Sequence, residues 1–166
     1  AREQLAVDVE LDHGRAQLVG ELEREAVRDR SGGHAELLTC VDDHSEVDLL
    51  ALEPAGPVFA VCRDYRLPPW VDAQTLVIAS SHSGNTEETL ACFRDALARS
   101  AKVVAITAGG ILQQEAQSHG VPLLGVHYQG EPRSALGFSF LAPLAVLQGL
   151  DLVPDQAAAL EEAIIV

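Results

Sequence analysis

The chain has 166 residues, of which 25 are acidic and 11 are lysine or arginine, and its formal net charge is −14. A hydrophobic fraction of 48% with 22% charged residues is ordinary for a globular protein, so the composition excludes a wholly disordered chain. The length favours one domain, and the acidic balance argues against a general nucleic-acid or anionic-membrane surface, because both need basic patches. An anionic ligand would therefore be held locally, by backbone amides, hydroxyls and a few arginines.

Residues 1–56 are predicted to form a helical or irregular region. The spacing of apolar residues predicts an amphipathic helix over 16–27, which Ser31-Gly32-Gly33 interrupts. A short strand over 37–41 and a short helix over 45–53 follow, before the Pro54 to Pro57 turn.

From residue 57 onward, short apolar runs alternate with helical patterns. Strands are predicted over 58–62 and 75–79, with a proline-rich loop over 63–70 between them. The next helix is predicted from about Asn85 to Arg99, and its apolar side is formed by Leu90, Phe93 and Leu97.

The second half of the chain repeats this alternation. Strands are predicted over 102–107 and 121–126, and helices over 111–118 and 135–147. Unbroken apolar strands are typical of a sheet covered on both faces, and alternation with helices indicates parallel βαβ units. The sequence therefore predicts an α/β fold, a three-layer αβα sandwich with a doubly wound, mostly parallel sheet.

The three cysteines are interpreted as buried thiols in a reducing compartment. Cys40, Cys62 and Cys92 lie in apolar stretches and lack the spacing of metal ligands, so no metal is expected. No apolar run reaches the roughly 18–20 residues of a membrane span, and the charged first residues do not resemble a signal peptide. These features predict a cytoplasmic protein.

A hydroxyl-rich turn follows the strand over 75–79. In open α/β sheets, ligands bind beyond the carboxyl ends of the strands, where helix N-termini offer unpaired amides to phosphate. Ser81, Ser83 and Thr86 add neutral donors, and Gly84 lets the backbone close around an oxygen cluster. The alternative is that Asn85 merely caps the helix, with Glu88 completing a capping box.

The segment SSHSGNTEETL at 80–90 resembles the phosphosugar-binding loop of sugar isomerase (SIS) domains. Three further segments narrow the resemblance to the first SIS domain of bifunctional phosphoglucose/phosphomannose isomerases, namely RDYRLPPW at 63–70, AKVVAITAGG at 101–110 and EPRSALGFSF at 131–140. The predicted organisation is thus an N-terminal region at 1–56, an SIS core at 57–152, and a helix or linker at 153–166 leading toward a second domain.

The resemblance implies that the chain binds a phosphorylated hexose and takes part in isomerising glucose 6-phosphate or mannose 6-phosphate to fructose 6-phosphate, without a cofactor. It places Ser81, Ser83 and Thr86 on the phosphate, beside Gly84 and Asn85, and it places Arg133 near the substrate. It also implies a homodimer or a paired second SIS domain. Two alternatives remain open: a phosphosugar-sensing domain without catalysis, or a single-domain isomerase whose site is completed between subunits.

The sequence departs from the family pattern in three places. His82 stands where the family usually has tyrosine, and the glycine-rich GGSA-type turn after the first strand has no counterpart that we can assign. In the family, the catalytic Glu and His come from the second SIS domain, and a Lys lies near the C-terminus. Lys102, the sole lysine, begins a strand at the other edge of the sheet, so the catalytic residues are unknown.

Overall fold

The computed structural model describes residues 36–41, 58–126, 136–150, 152–157, 160 and 162. The elements in chain order are β1 (Glu36–Val41), β2 (Val58–Cys62), β3 (Leu76–Ser80), α1 (Glu87–Ala98), β4 (Lys102–Thr107), α2 (Gly110–His119), β5 (Leu123–Gly125) and α3 (Leu136–Gly149). The predicted helices over 16–27 and 45–53 lie outside the described residues.

The five strands form one parallel sheet in the order β2-β1-β3-β4-β5. The chain moves outward from β1 to β2 and then returns past β1 to β3, so its direction of travel reverses between the neighbouring strands β1 and β3. In this kind of sheet, the loops at such a switch point diverge and leave a crevice at the carboxyl ends of the strands. The carboxyl ends of β1 and β3 are therefore where a ligand is expected in a sheet of this order.

Two apolar layers cover the two faces of the sheet. On one face, α1 and α2 pack Phe93 and Leu112 against Val77 and Ala105. On the other face, α3 packs against Leu76, Ile78, Val104 and Ile106 and contributes Leu144 and Leu147 among others. Because successive strand residues point to opposite faces and both faces are covered, each central strand must be apolar throughout. Helices on both faces of one parallel sheet confirm the predicted three-layer αβα sandwich.

The predicted boundaries of the described helices and strands are correct to within two residues. The strand predicted over 121–126 spans only Leu123–Gly125, because the Val121 amide instead closes the end of α2 by donating to the Ala116 carbonyl. His119 ends α2, and Gly120 follows in the left-handed conformation, with φ of 65°. The strand β1 belongs to the predicted N-terminal region, and in the sheet it lies between β2 and β3. The domain boundaries at 56 and 152 stay predictions.

The three cysteines are buried free thiols, as predicted. Cys40 lies in β1, Cys62 ends β2 and Cys92 lies in the middle of α1. Burial raises the pKa of the Cys62 thiol.

The 63–71 loop is held against α1 by hydrogen bonds between its backbone and the ion-paired side chains of Asp95 and Arg99. The Arg99 guanidinium donates to the carbonyl oxygens of Pro68, at 2.7 Å, and Leu67, at 3.2 Å, while it also binds the Asp95 carboxylate at 2.8 Å. The Asp95 carboxylate accepts the Leu67 amide at 3.1 Å. Leu67 and Val71 are thereby kept buried in the core beneath the loop.

This arrangement predicts a pH dependence of stability. Partial burial opposes ionisation of Asp95, but the hydrogen bonds from Arg99 and the Leu67 amide outweigh it and lower the pKa of the carboxyl. A carboxyl whose pKa is lower in the folded state stabilises the fold above its unfolded pKa, about 3.9, and loses this contribution as the pH falls toward the folded value. The advantage of the wild type over Asp95→Asn in free energy of unfolding should therefore be constant from pH 7 to about 5 and shrink below pH 4.

Urea unfolding between pH 7 and pH 3 measures this difference. In an Arg99→Ala background, most of the pH-dependent part should disappear, because the principal cation is gone. A difference between wild type and Asp95→Asn that stays constant down to pH 3, or grows there, would contradict the assignment.

Candidate functional site

The hydroxyl-rich turn joins β3 to α1 at the carboxyl edge of the sheet. It runs from Ser81 to Thr86, directly after Ser80, which pairs in register with Val41 at the end of β1. The turn therefore lies at the carboxyl ends of the neighbouring strands β1 and β3. Since Glu87 begins α1, the first amides of that helix face this same edge without intrahelical acceptors.

Ser81 and Thr86 lie side by side at the helix start. Their hydroxyl oxygens are 2.9 Å apart and share a hydrogen bond, and the Gly84 amide donates to Ser81 Oγ at 3.1 Å. Ser81 is buried, whereas Thr86 is half-buried. The sequence thus brings two neutral hydroxyls together beside the amino end of a helix, where the partial positive charge favours an anion.

Ser83 lies at the exposed tip of the turn. Its hydroxyl oxygen accepts the Asn85 amide at 3.2 Å, and the Asn85 side-chain nitrogen donates to the Ser83 carbonyl at 3.1 Å. These two bonds define the conformation of the tip. They keep Ser83 at the solvent-facing side of the turn.

Asn85 does not cap α1, so the capping alternative is wrong for this residue. The N-cap of α1 is Thr86, whose side chain makes no capping hydrogen bond. The Asn85 side-chain oxygen instead accepts the Ile111 amide at 3.2 Å, in the first turn of the neighbouring helix α2. Asn85 therefore joins two helix starts.

The turn after β4 packs directly against the turn after β3. The Leu112 amide donates to the Gly84 carbonyl at 2.9 Å, and the Ala108 amide donates to the His82 carbonyl at 3.1 Å. Gly84 has a φ of 66°, and a Cβ built on it would lie 1.8 Å from the Gly109 carbonyl oxygen. Gly84 is thus required for the contact between the two turns, a role that the sequence did not reveal.

Thr107 is a second residue that sequence reasoning missed. Its buried hydroxyl donates to the Gly109 carbonyl at 2.9 Å and accepts the Gly109 amide at 3.2 Å. It thereby fixes the backbone against which Gly84 packs. A polar residue at the end of an otherwise apolar strand was the available signal.

The charges around the turn are mostly negative. Glu87 and Glu88 occupy the first turn of α1, where carboxylates stabilise a helix. The exposed Tyr65 hydroxyl donates to Glu87 at 3.4 Å, and the two carboxylates, Glu88 foremost, raise the pKa of Tyr65. An anion at this turn must therefore be bound by oriented amides and hydroxyls, because the surrounding side-chain charges would repel it.

Arg133, one of the predicted site residues, lies outside the residues that the structure describes. Lys102 begins β4 at the amino edge of the sheet, opposite the turn, as predicted. Among the helices that the structure describes, none is both long and apolar enough to cross a membrane.

Comparison with known proteins gives a consistent family of relatives. The chain is 46% identical over 104 residues to a bifunctional phosphoglucose/phosphomannose isomerase from Caldicellulosiruptor bescii, covering 63% of this chain and 31% of that protein. The same-named protein from Aquifex aeolicus is 43% identical over 95 residues, which cover 57% of this chain and 29% of the relative. The chain therefore spans about a third of the length of these curated relatives. No family model matches the sequence.

Solved structures agree on the fold. A candidate phosphosugar isomerase from Silicibacter pomeroyi superposes with a TM-score of 0.53 at 22% identity, over 86% of this chain and 45% of its own. The sheet order and the turn at the end of β3 agree with the sequence matches in indicating one kind of fold. The chain has the fold of the phosphosugar isomerase (SIS) domains and is a homologue of the bifunctional phosphoglucose/phosphomannose isomerases over about a third of their length.

Proposed function

We propose that the chain binds a phosphorylated hexose at the turn between β3 and α1, and that it supplies the phosphate-binding part of an isomerase that converts glucose 6-phosphate or mannose 6-phosphate to fructose 6-phosphate. The observation that carries the proposal is the Ser81 and Thr86 pair, with hydroxyl oxygens 2.9 Å apart at the start of α1. The named relatives support the class of substrate.

The turn binds the phosphate through neutral protein donors, without a charged side chain. The first amides of α1 donate to its oxygens, and the helix dipole favours its negative charge. Ser81 and Thr86 turn a hydroxyl proton from their shared hydrogen bond toward a phosphate oxygen, and Ser83 donates from the tip of the turn. Burial of Ser81 and the packing of Gly84 against Gly109 fix these donors in advance, which lowers the entropy cost of binding.

The isomerisation itself needs more than this turn. A general base must move a proton between C1 and C2, and ring opening needs an acid and a base. We place Arg133 near a substrate oxygen, where a guanidinium donates hydrogen bonds in a fixed geometry. We propose that the base comes from a second SIS domain or from a second copy of the chain, because in the family that the sequence resembles the catalytic Glu and His belong to a second SIS domain.

Calorimetric titration with fructose 6-phosphate, fructose and inorganic phosphate tests the proposal. Fructose should bind at least about 100-fold more weakly than its phosphate ester, since several hydrogen bonds to the charged group are lost and each contributes roughly 1.5–3 kcal/mol. Inorganic phosphate should bind with intermediate affinity.

Backbone amide shifts in a parallel NMR titration locate the ligand. The largest shifts are expected from Ser81 to Thr89. If the largest shifts lie elsewhere, the turn is not the phosphate site. If fructose 6-phosphate binds no more tightly than inorganic phosphate, the sugar plays no part in recognition.

A further inference from the structure

The three cysteines of the chain meet in one place, although they are far apart in the sequence. The Sγ atoms of Cys40, Cys62 and Cys92 all lie within 4.8 Å of one another, and all three side chains are buried. They come from β1, β2 and α1, and Cys40 pairs in register with Cys62 across the two strands. We call this group the thiol cluster.

We propose that the thiol cluster is a binding site for one divalent, thiophilic d10 metal ion of the zinc and cadmium class. The metal-to-thiolate distance in such sites is about 2.3 Å, so three thiolates around one ion lie about 4 Å apart. Cys62 Sγ and Cys92 Sγ are 3.7 Å apart, and Cys40 Sγ lies within 4.8 Å of both. The sulfurs thus stand near the separation that a shared ion requires.

The neighbouring groups favour a soft ion. Among the residues that the structure describes, no histidine or carboxylate side chain belongs to the cluster, so the ligand set is sulfur alone. Thiolate ligands select soft and borderline ions over magnesium, calcium and manganese. The Asp64 carbonyl oxygen accepts the Cys92 thiol hydrogen bond at 3.0 Å, which places this oxygen where it could fill a fourth position.

The charge of the site favours a divalent ion over a monovalent one. Binding releases one proton from each ligating thiol to solvent and involves no change in oxidation state. Three thiolates with a divalent ion leave one negative charge in the buried cluster, whereas a monovalent ion leaves two. A buried charge is costly unless it is paired, so the divalent ion is preferred.

A disulfide or simple core packing would use the three sulfurs differently from a metal site. A disulfide would join two sulfurs at about 2.05 Å and leave the third unused. Three thiols could also serve only as small apolar side chains in the core, since free cysteine packs well there. Of these arrangements, only a shared ion forms a bond to all three sulfurs.

Anaerobic titration of the reduced 166-residue chain with Cd²⁺ tests the proposal. The chain contains no other cysteine and no methionine, so all thiolate-to-cadmium absorbance must arise from the cluster. We expect saturation at one Cd²⁺ per chain with the absorbance of three thiolates, and a large excess of Zn²⁺ should compete for the same site and reduce this absorbance. The chain unfolded in urea should bind at least tenfold more weakly, because it lacks the assembled cluster.

Single variants show whether all three sulfurs take part. Cys40→Ala, Cys62→Ala and Cys92→Ala should each lower the Cd²⁺ affinity more than tenfold, whereas His119→Ala, at the exposed end of α2, should leave it unchanged. Zn²⁺ should raise the melting temperature of the wild type and not of Cys40→Ala.

The wild-type titration decides the question even where a variant fails to fold. The proposal is overturned if the absorbance corresponds to only one or two thiolates per Cd²⁺, or if the folded and urea-unfolded chains bind Cd²⁺ with equal affinity. It is also overturned if the cluster forms a Cys62–Cys92 disulfide and binds no metal.

Discussion

Replacing Gly84 with alanine should lower the free energy of unfolding by about 2–5 kcal/mol and abolish phosphosugar binding. A non-glycine residue in the left-handed conformation costs about 1–2 kcal/mol, and forced repacking of a close contact adds about 1–3 kcal/mol. Both apply here, because Gly84 has a φ of 66° and its Cβ would lie 1.8 Å from the Gly109 carbonyl oxygen. That carbonyl must retreat by more than an ångström, and the hydrogen bond from the Leu112 amide to Gly84 would be distorted.

Gly120 provides the matched control. Its φ of 65° is nearly the same, but nothing lies within 4 Å of the position of a Cβ there. Gly120→Ala should therefore cost only the conformational part, about 1–2 kcal/mol, and leave ligand affinity unchanged. Equal losses of stability in the two variants, measured by urea unfolding, would show that the contact between the two turns contributes nothing.

The layers of the fold could be predicted from sequence because burial leaves a local pattern. Each central strand is covered on both faces, so every position is apolar and the run is readable without knowing its neighbours. The order of the strands leaves no such pattern. The place of β1 between β2 and β3 depends on pairings between residues distant in the chain, such as Leu38 with Ala60 and with Val77, which local sequence does not encode.

The candidate site was located by its hydroxyls, but the roles of individual residues depended on tertiary contacts. Asn85 is of a residue type that commonly caps a helix, and it directly precedes one. The sequence alone does not show that a second helix begins within hydrogen-bonding distance of its side chain. The structure places the start of α2 beside it, so the side chain joins the Ile111 amide instead. Gly84 was interpreted as a residue that lets the backbone close around a ligand. The contact that the structure shows is with the Gly109 carbonyl of the neighbouring turn.

The thiol cluster illustrates the same limit more strongly. Metal sites are recognised in sequences by short, regular spacing between ligands, as in zinc motifs. Cys40, Cys62 and Cys92 have no such spacing, because each comes from a different element and the sheet brings them together. The parallel pairing of β1 with β2 aligns two of them, and the docking of α1 on that face adds the third.

The double variant Ser83→Ala and Thr86→Ala should weaken fructose 6-phosphate binding by a factor between about 10 and about 20,000. Each hydroxyl that donates to a phosphate contributes roughly 1.5–3 kcal/mol, and a tenfold change in affinity corresponds to about 1.4 kcal/mol. The lower end applies if the exposed Ser83 contributes little, since water competes for its hydrogen bond. Calorimetry on both proteins measures the change.

Two controls separate loss of donors from loss of structure. Thr86→Ser keeps the hydroxyl that shares a hydrogen bond with Ser81 and should retain affinity within a few-fold. Ser118→Ala removes a hydroxyl that donates to the Glu115 carbonyl at 2.9 Å, at the far end of α2, and should leave the affinity unchanged. If the double variant stays folded and binds fructose 6-phosphate as tightly as the wild type, the hydroxyls of the turn are structural, and the phosphate must be held by backbone amides or by another part of the chain.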